Sequence, residues 1–156
     1  MLNIKVITVL IVIFLSSSAV SFERPLTQIP LHKKSAQTYY VKAQIEGLAT
    51  TEFMLDTGSG YNTINEETLE KVKASGTATY VKDIVGILAD GTLKTVPVWS
   101  LSRFNIGGEC VLNNIEAAVF PNNTRQILGL SALKKTAPFT ISFDPPQIVL
   151  SHCEPT

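Results

Sequence analysis

Phe53-Met54-Leu55-Asp56-Thr57-Gly58-Ser59-Gly60 places one acidic residue between three large apolar residues and a run of small ones. An aspartate in this position leaves a buried strand and enters a tight loop, where backbone N–H groups can hold its carboxylate away from bulk water. Such surroundings shift the pKa of a carboxyl group and are typical of acids and bases that take part in catalysis. The alternative is an ordinary aspartate at the end of a strand, because Asp and Gly both favour turns.

The residues on both sides of this segment are mostly typical of short strands. Residues 39–46 alternate apolar and polar side chains and stop at Gly47, and residues 51–55 form a second, more apolar run. Similar runs follow at residues 84–88, 93–99, 104–106, 115–120, 139–143 and 148–150. Many short strands separated by turn residues predict an all-β domain, either a barrel or a sandwich.

One tight turn and two short helices complete the predicted elements. Asp90-Gly91 lies between two apolar runs and is a strong hairpin signal, because both residues tolerate the positive φ of such a turn. Asn65 can cap a helix over residues 66–73, with acidic residues in its first turn and lysines in its last. The second helix is expected over residues 131–135 and must stop before Pro138.

The first 21 residues differ in composition from the rest of the chain. Lys5 precedes an apolar run over residues 6–15, and Ala19 and Ser21 then occupy the two positions that a signal peptidase reads. The run is shorter than the roughly 20 residues that cross a bilayer, so we expect a cleaved signal peptide over residues 1–21. An uncleaved signal anchor is the alternative. The mature protein is then periplasmic or secreted, or membrane-anchored if the segment is not cleaved.

The overall composition is that of one folded domain without a large net charge. The chain has 156 residues, of which 45% are hydrophobic and 17% charged, which excludes a disordered protein and allows one core. Its 13 basic and 13 acidic side chains give a formal net charge of zero, so we do not expect nucleic acid as a partner. His32 and His152 lie far apart and show no ligand spacing typical of zinc, so we expect no metal and no cofactor.

The two cysteines, Cys110 and Cys153, allow two interpretations. Outside the cytosol they could form one disulfide that ties the C-terminal segment to the body of the domain. They could equally be two unpaired thiols, because the sequence does not tell how far apart their Cα atoms lie.

Three segments in a fixed order resemble the retropepsin-like aspartic proteases, specifically the bacterial single-domain members of that family. Residues 53–60 match the family signature of hydrophobic residues followed by Asp-Thr-Gly-Ser. Ile87-Leu88-Ala89-Asp90-Gly91-Thr92 is similar to the flap, the hairpin that covers the substrate. Residues 127–135 match the hydrophobic pair, the glycine and the helix that pack behind the catalytic loop. The resemblance extends from about Tyr39 to Leu150.

The resemblance implies a fold and a mechanism. The fold is an all-β, retropepsin-like closed β-barrel with a flap hairpin and one or two short helices, over residues 37–153, after an N-terminal arm over residues 22–36. In this family two aspartates share one proton, so that one activates a water molecule while the other polarises the scissile carbonyl. This chain has a single Asp-Thr-Gly. The resemblance therefore implies a homodimer with the two Asp56 carboxylates at its axis.

The resemblance also assigns roles to the residues around Asp56. Thr57 is expected to bond across the dimer axis, Gly58 to let the backbone approach the carboxylate, and Ser59 to accompany the carboxylate as an outer hydrogen-bond partner. The flap residues expected to cover an extended peptide are Leu88, Ala89, Asp90, Gly91 and Thr92. The residues expected to pack behind the loop are Ile127, Leu128 and Gly129.

These observations predict an exported aspartic endopeptidase that cleaves extended peptide or protein substrates as a homodimer. The alternative is a non-catalytic module of the same fold that binds peptides or forms an assembly in the cell envelope. A chain that stays monomeric would favour the alternative, because one Asp56 cannot supply both the acid and the base.

Overall fold

The computed structural model describes residues 26–88 and 90–154. The predicted signal peptide over residues 1–21 and the predicted flap residue Ala89 lie outside these described residues. The strands are β1 (Thr27–Pro30), β2 (His32–Lys33), β3 (Tyr39–Ile45), β4 (Thr51–Leu55), β5 (Asn62–Asn65), β6 (Ala78–Ile87), β7 (Leu93–Ile106), β8 (Cys110–Phe120), β9 (Ile127–Leu128), β10 (Phe139–Phe143) and β11 (Pro146–Leu150). The helices are α1 (Glu66–Ala74) and α2 (Leu130–Leu133), and 3-10 turns cover Ser35–Gln37 and Lys134–Thr136.

Eight of these strands form one sheet in the order β2-β3-β4-β9-β5-β8-β7-β6. An additional antiparallel pairing joins β3 to β7, with Ala43 opposite Ile106, so the sheet curls back on itself. The closure is uneven, because β2 and β6 remain at the two ends of the strand order. The prediction of an all-β barrel with a flap hairpin and one or two short helices is nevertheless confirmed.

The hairpin of β6 and β7 is longer than the sequence indicates. Its strands pair from the tip, where Ile87 lies opposite Leu93, down to the base of the domain. β7 is 14 residues long, so the runs predicted separately at residues 93–99 and 104–106 belong to one strand. The exposed Ser102-Arg103 pair interrupts the apolar pattern. β7 continues past it because the strand leaves β6 there and keeps its pairing with β8.

A second sheet of three strands joins the two ends of the domain in the order β1-β11-β10. The sequence predicts only an arm over residues 22–36, because this segment is polar and contains two prolines. In the structure Ile29 lies opposite Ile148, and both side chains are buried in the main core together with Leu31. The second part of the predicted arm therefore belongs to the folded domain.

Helix α1 begins where the sequence predicts it. The Asn65 side-chain oxygen accepts the Thr68 backbone N–H at 2.9 Å, and Leu69 packs into the core. Helix α2 begins at Leu130 and passes into a 3-10 turn that ends before Pro138, close to the predicted bounds. Among the described residues, no helix has the length and apolar character needed to cross a membrane.

Cys110 and Cys153 form a disulfide, which decides between the two interpretations that the sequence left open. Their Cα atoms lie 4.7 Å apart, and Cys110 is buried. The bond fastens the residues after β11 beside the start of β8, where Val111 and Glu154 exchange two backbone hydrogen bonds. The C-terminal segment is thus tied to the body of the domain.

Candidate active site

Asp56 is the first residue after strand β4, and its backbone is held by strand β9. The two strands are parallel, with Leu55 opposite Leu128. The Asp56 backbone N–H donates to the Leu128 carbonyl at 3.1 Å. Phe53, three residues earlier, is completely buried and anchors the strand. The aspartate therefore leaves the sheet at a defined position.

The turn after Asp56 brings backbone N–H groups to the aspartate. The Gly58 N–H donates to Oδ1 of Asp56 at 2.9 Å, and the Ser59 N–H donates to the Asp56 carbonyl oxygen at 3.3 Å. A Cβ atom on Gly58 would stand 3.2 Å from the same Oδ1, tighter than an ordinary contact. The absence of a side chain at Gly58 thus allows this close approach. The Thr57 side chain beside it is exposed.

Ser59 has a different hydrogen-bond partner from the one that the resemblance implies. Its hydroxyl donates to the Tyr61 carbonyl oxygen at 2.7 Å rather than accompanying the Asp56 carboxylate. The acceptor lies only two residues away, so this bond tightens the turn itself. Ser59 therefore acts on the shape of the loop, through Tyr61.

Residues behind the loop hold it through a connected set of hydrogen bonds. The Asn62 side-chain oxygen accepts the Gly129 N–H at 2.9 Å, and the Leu130 N–H donates to the Ser59 carbonyl at 2.8 Å. The Ser131 hydroxyl accepts the Asn62 N–H at 2.7 Å and donates at 2.7 Å to a carbonyl oxygen of β8. These bonds join the end of the aspartate loop to the start of α2.

The hairpin of β6 and β7 turns at the residues predicted to form the flap tip. The Leu88 N–H donates to the Thr92 carbonyl, and the Gly91 N–H, at a φ of +83°, donates to the Leu88 carbonyl, both at 2.9 Å. The Asp90 carboxylate accepts the Thr92 N–H at 2.9 Å. This hydrogen bond favours the ionised form and holds the pKa of Asp90 below its usual value.

A cleft of about 790 Å³ lies between the aspartate loop and the flap. The predicted site residues that line it are Asp56, Gly58, Ser59, Leu88 and Ile127. The remaining described ones do not line it: Thr57 is exposed beside the loop, Asp90, Gly91 and Thr92 form the exposed flap tip, and Leu128 and Gly129 lie underneath. The structure therefore brings the loop and the flap to one cleft, with the third segment as its support.

Sequence reasoning missed most of the cleft wall. Further residues that line it include Tyr61, Ile84, Gly86, Lys94, Phe120 and Pro121. Part of this wall was predictable from the sequence, because alternate residues of a strand face the same side. The predicted strand over residues 84–88 places Ile84 and Gly86 on the same face as the flap residue Leu88. Tyr61 and Phe120 reach the cleft only through strand pairings that no local pattern reveals.

Two charged side chains, Asp56 and Lys94, line the described part of the cleft. Outside the cleft, the exposed Lys82 ammonium lies 3.3 Å from the Glu116 carboxylate and 5.5 Å from the centre of the Tyr61 ring. Tyr61, followed by Glu116, raises the pKa of Lys82 above its usual value. Lys82 thus remains protonated beside a carboxylate and supports Tyr61 at the cleft wall.

Among the described residues, one chain supplies a single carboxylate, Asp56, to a mostly apolar cleft. Within residues 26–88 and 90–154, no group of three or more His, Cys, Asp or Glu side chains could hold a metal ion. A single carboxylate can serve as a base or, when protonated, as an acid, but not as both at the same time.

Comparisons with known proteins agree with this geometry. The model of the aspartyl protease family matches residues 41–132, a span from β3 to α2 that includes the aspartate loop and the flap. A solved structure described as a retropepsin-like aspartic protease from Rickettsia conorii is similar in fold, with a TM-score of 0.59 and 22% sequence identity. The match covers 81% of this chain and 91% of that chain. No curated protein matches the sequence.

Proposed function

Since the chain is an aspartic endopeptidase of the aspartyl protease family and its fold is retropepsin-like, we propose that it works as an exported homodimer. In this proposal each subunit supplies one Asp56 to a shared site, and the substrate is an extended stretch of a peptide or protein. The observation that carries it is the single carboxylate, Asp56, in the described part of the cleft.

The other aspartates support a second copy of the chain as the source of the second carboxylate. Asp83 lies on β6, Asp90 at the flap tip and Asp144 in the turn between β10 and β11, and all three are exposed. None of them lines the cleft with Asp56. A two-fold axis close to the aspartate loop would bring two Asp56 side chains together, with the exposed Thr57 residues beside them.

The proposed chemistry follows from placing two carboxylates a few ångströms apart. Aspartic proteases are the standard example of such a pair, which holds one proton because both groups cannot ionise together. The ionised Asp56 removes a proton from a bound water molecule, whose oxygen attacks the scissile carbonyl carbon. The protonated Asp56 donates a hydrogen bond to the carbonyl oxygen and stabilises the charge that develops there. The pair, and not either residue, then determines the pH dependence.

The cleft suits a peptide in an extended conformation. Its walls are mainly apolar, with Ile84 and Leu88 on the flap side and Phe120 and Ile127 on the opposite side. Alternate side chains of an extended peptide point in opposite directions, so successive residues would meet the flap and the floor. A closed flap would also exclude bulk water from the reacting bond.

Export is supported by the N-terminal composition and by the disulfide. Disulfides form and persist in oxidising compartments and are rare in the cytosol. The Cys110–Cys153 bond therefore fits a mature protein that is periplasmic or secreted, or anchored to the membrane if residues 1–21 are retained. We expect the intact mass of the purified protein to correspond to cleavage after Ser21. A protein that keeps residues 1–21 and stays in the cytosol would contradict export.

Peptidase activity is tested with a mixed peptide library at acid and neutral pH, with products identified by mass spectrometry. We expect cleavage by the wild-type protein, and no cleavage by Asp56→Asn or in the presence of a statine-type inhibitor. Asp144→Asn is the matched control, because it makes the same chemical change in an exposed turn outside the cleft. Identical product profiles for wild type and Asp56→Asn at every pH would overturn the proposed function.

A further inference from the structure

Lys94 is placed in the cleft by the register of the flap hairpin. It lies directly opposite Gly86, and residues opposite each other in an antiparallel pair project from the same face. A Cβ atom on Gly86 would stand 4.0 Å from the tip of the Phe120 ring, so this face is turned toward the cleft wall. Because Gly86 has no side chain, the space opposite Lys94 stays open for its long stem.

The ammonium group of Lys94 has different surroundings from that of Lys82, the other lysine on this hairpin. Lys82 is paired with Glu116, whereas no carboxylate of the described residues lies within ion-pair distance of Lys94. The one other charged side chain on the described cleft wall is Asp56. A half-buried cation on a mostly apolar wall attracts an anionic group more strongly than the same cation in water.

We propose that Lys94 is a specificity-determining residue that favours peptide substrates with an acidic side chain, Asp or Glu, beside an apolar one. The apolar neighbours of Lys94 on the flap, Ile84 and Leu88, would contact the adjoining apolar side chain of the substrate. An acidic side chain close to Lys94 would form an ion pair that a glutamine or asparagine at the same position cannot form. This inference rests on the proposed peptide cleft and names the class of substrate that the cleft takes.

The test compares neutral peptides with peptides in which one Glu is moved through successive positions, each matched by a Gln peptide. Cleavage by the full chain is measured at about pH 6.5, where glutamate is ionised. Binding of the same peptides to Asp56→Asn is measured by fluorescence anisotropy, so that a preference is detected even without turnover. The variants are Lys94→Gln, Lys94→Glu and Lys94→Arg, and the control is Lys42→Gln, an exposed lysine on β3 outside the cleft.

At one or two positions we expect wild type to favour Glu over Gln by about 3- to 10-fold, in kcat/KM and in binding. The ratio should fall to about 1 in Lys94→Gln, drop below 1 in Lys94→Glu, and persist in Lys94→Arg and Lys42→Gln. It should also decrease as the salt concentration rises.

The outcomes separate this inference from the proposed function. If cleavage requires Asp56 but the preference for Glu over Gln is the same in wild type and Lys94→Gln, the role of Lys94 is overturned. The proposed peptidase activity is then unaffected. A Glu preference in binding that Lys94→Gln abolishes, without cleavage of any peptide, supports the role of Lys94 and contradicts the dimeric peptidase. Lys94 variants that change only the monomer–dimer equilibrium would show that Lys94 pairs with a second copy, and would also overturn the inference.

Discussion

The Gly129 backbone lies so close to Tyr61 that a Cβ atom on Gly129 would stand 2.1 Å from the Tyr61 carbonyl oxygen. The atom that this Cβ would meet belongs to the backbone, so no flexible side chain can move aside to relieve the clash. The contact lies where residues 127–129 meet the loop that follows Asp56. The Gly129 N–H donates there to the Asn62 side-chain oxygen. Glycine is thus required at this position by the packing of the loop.

We predict that Gly129→Ala lowers the free energy of unfolding by about 2–4 kcal/mol and displaces the aspartate loop. Urea denaturation provides the first readout and peptide cleavage the second. Gly60→Ala is the control for stability, because a Cβ atom there would meet no heavy atom within 4 Å. An equal unfolding midpoint for Gly129→Ala and wild type would contradict the clash.

The shared active site predicts a specific result when subunits are mixed. Wild-type protein is combined with an equal amount of Asp56→Asn, above the dimer dissociation constant, and left to exchange subunits. If each site needs an Asp56 from both copies, random pairing leaves about half of the activity of the same wild-type protein alone. Asp144→Asn in place of Asp56→Asn should not reduce the activity at all. Unchanged activity in the Asp56→Asn mixture would indicate that one chain is sufficient.

The disulfide predicts a measurable loss of stability on reduction. The bond closes a loop with a sequence separation of 43 residues, so its removal is expected to cost about 2–4 kcal/mol. Cys153→Ser should therefore unfold at a lower urea concentration than wild type. Dithiothreitol should lower the wild-type midpoint to that of the variant, and it should not change the midpoint of Cys153→Ser. A wild-type midpoint that does not respond to the reductant would show that the bond adds no stability.

The hydrogen bond at the flap tip predicts a pH-dependent turn. The Thr92 N–H favours the ionised Asp90, so the native pKa lies below the usual value of 3.8. A lowered native pKa means that the bond stabilises the turn above the unfolded pKa, and that this stabilisation is lost as pH falls through the native pKa.

This loss is measured by NMR titration of the Asp90 carboxyl carbon and the Thr92 amide proton. Both signals should change with one shared midpoint, and Asp90→Asn should remove that step from the Thr92 titration. A native midpoint at or above 3.8 would show that the bond does not form in solution.

The local elements of this fold were predictable because their signals lie within a few neighbouring residues. The cap at Asn65 and the turn at Asp90-Gly91 are both present where the sequence predicts them. The order of the three family segments also indicated the retropepsin-like fold. The Ser59 hydroxyl donates to the Tyr61 carbonyl oxygen within the same loop, whereas the resemblance implies the Asp56 carboxylate as its partner.

Local residue types were enough to predict the aspartate motif, the flap turn, the helix cap and the presence of one Asp-Thr-Gly. Each depends on neighbouring residue types, which set backbone preferences regardless of the rest of the molecule. Three further features are known only from the folded chain: β1 pairs with β11, Cys110 bonds to Cys153, and Lys94 lines the cleft. These contacts join residues far apart in the chain, and their formation depends on the packing of the whole sheet and core.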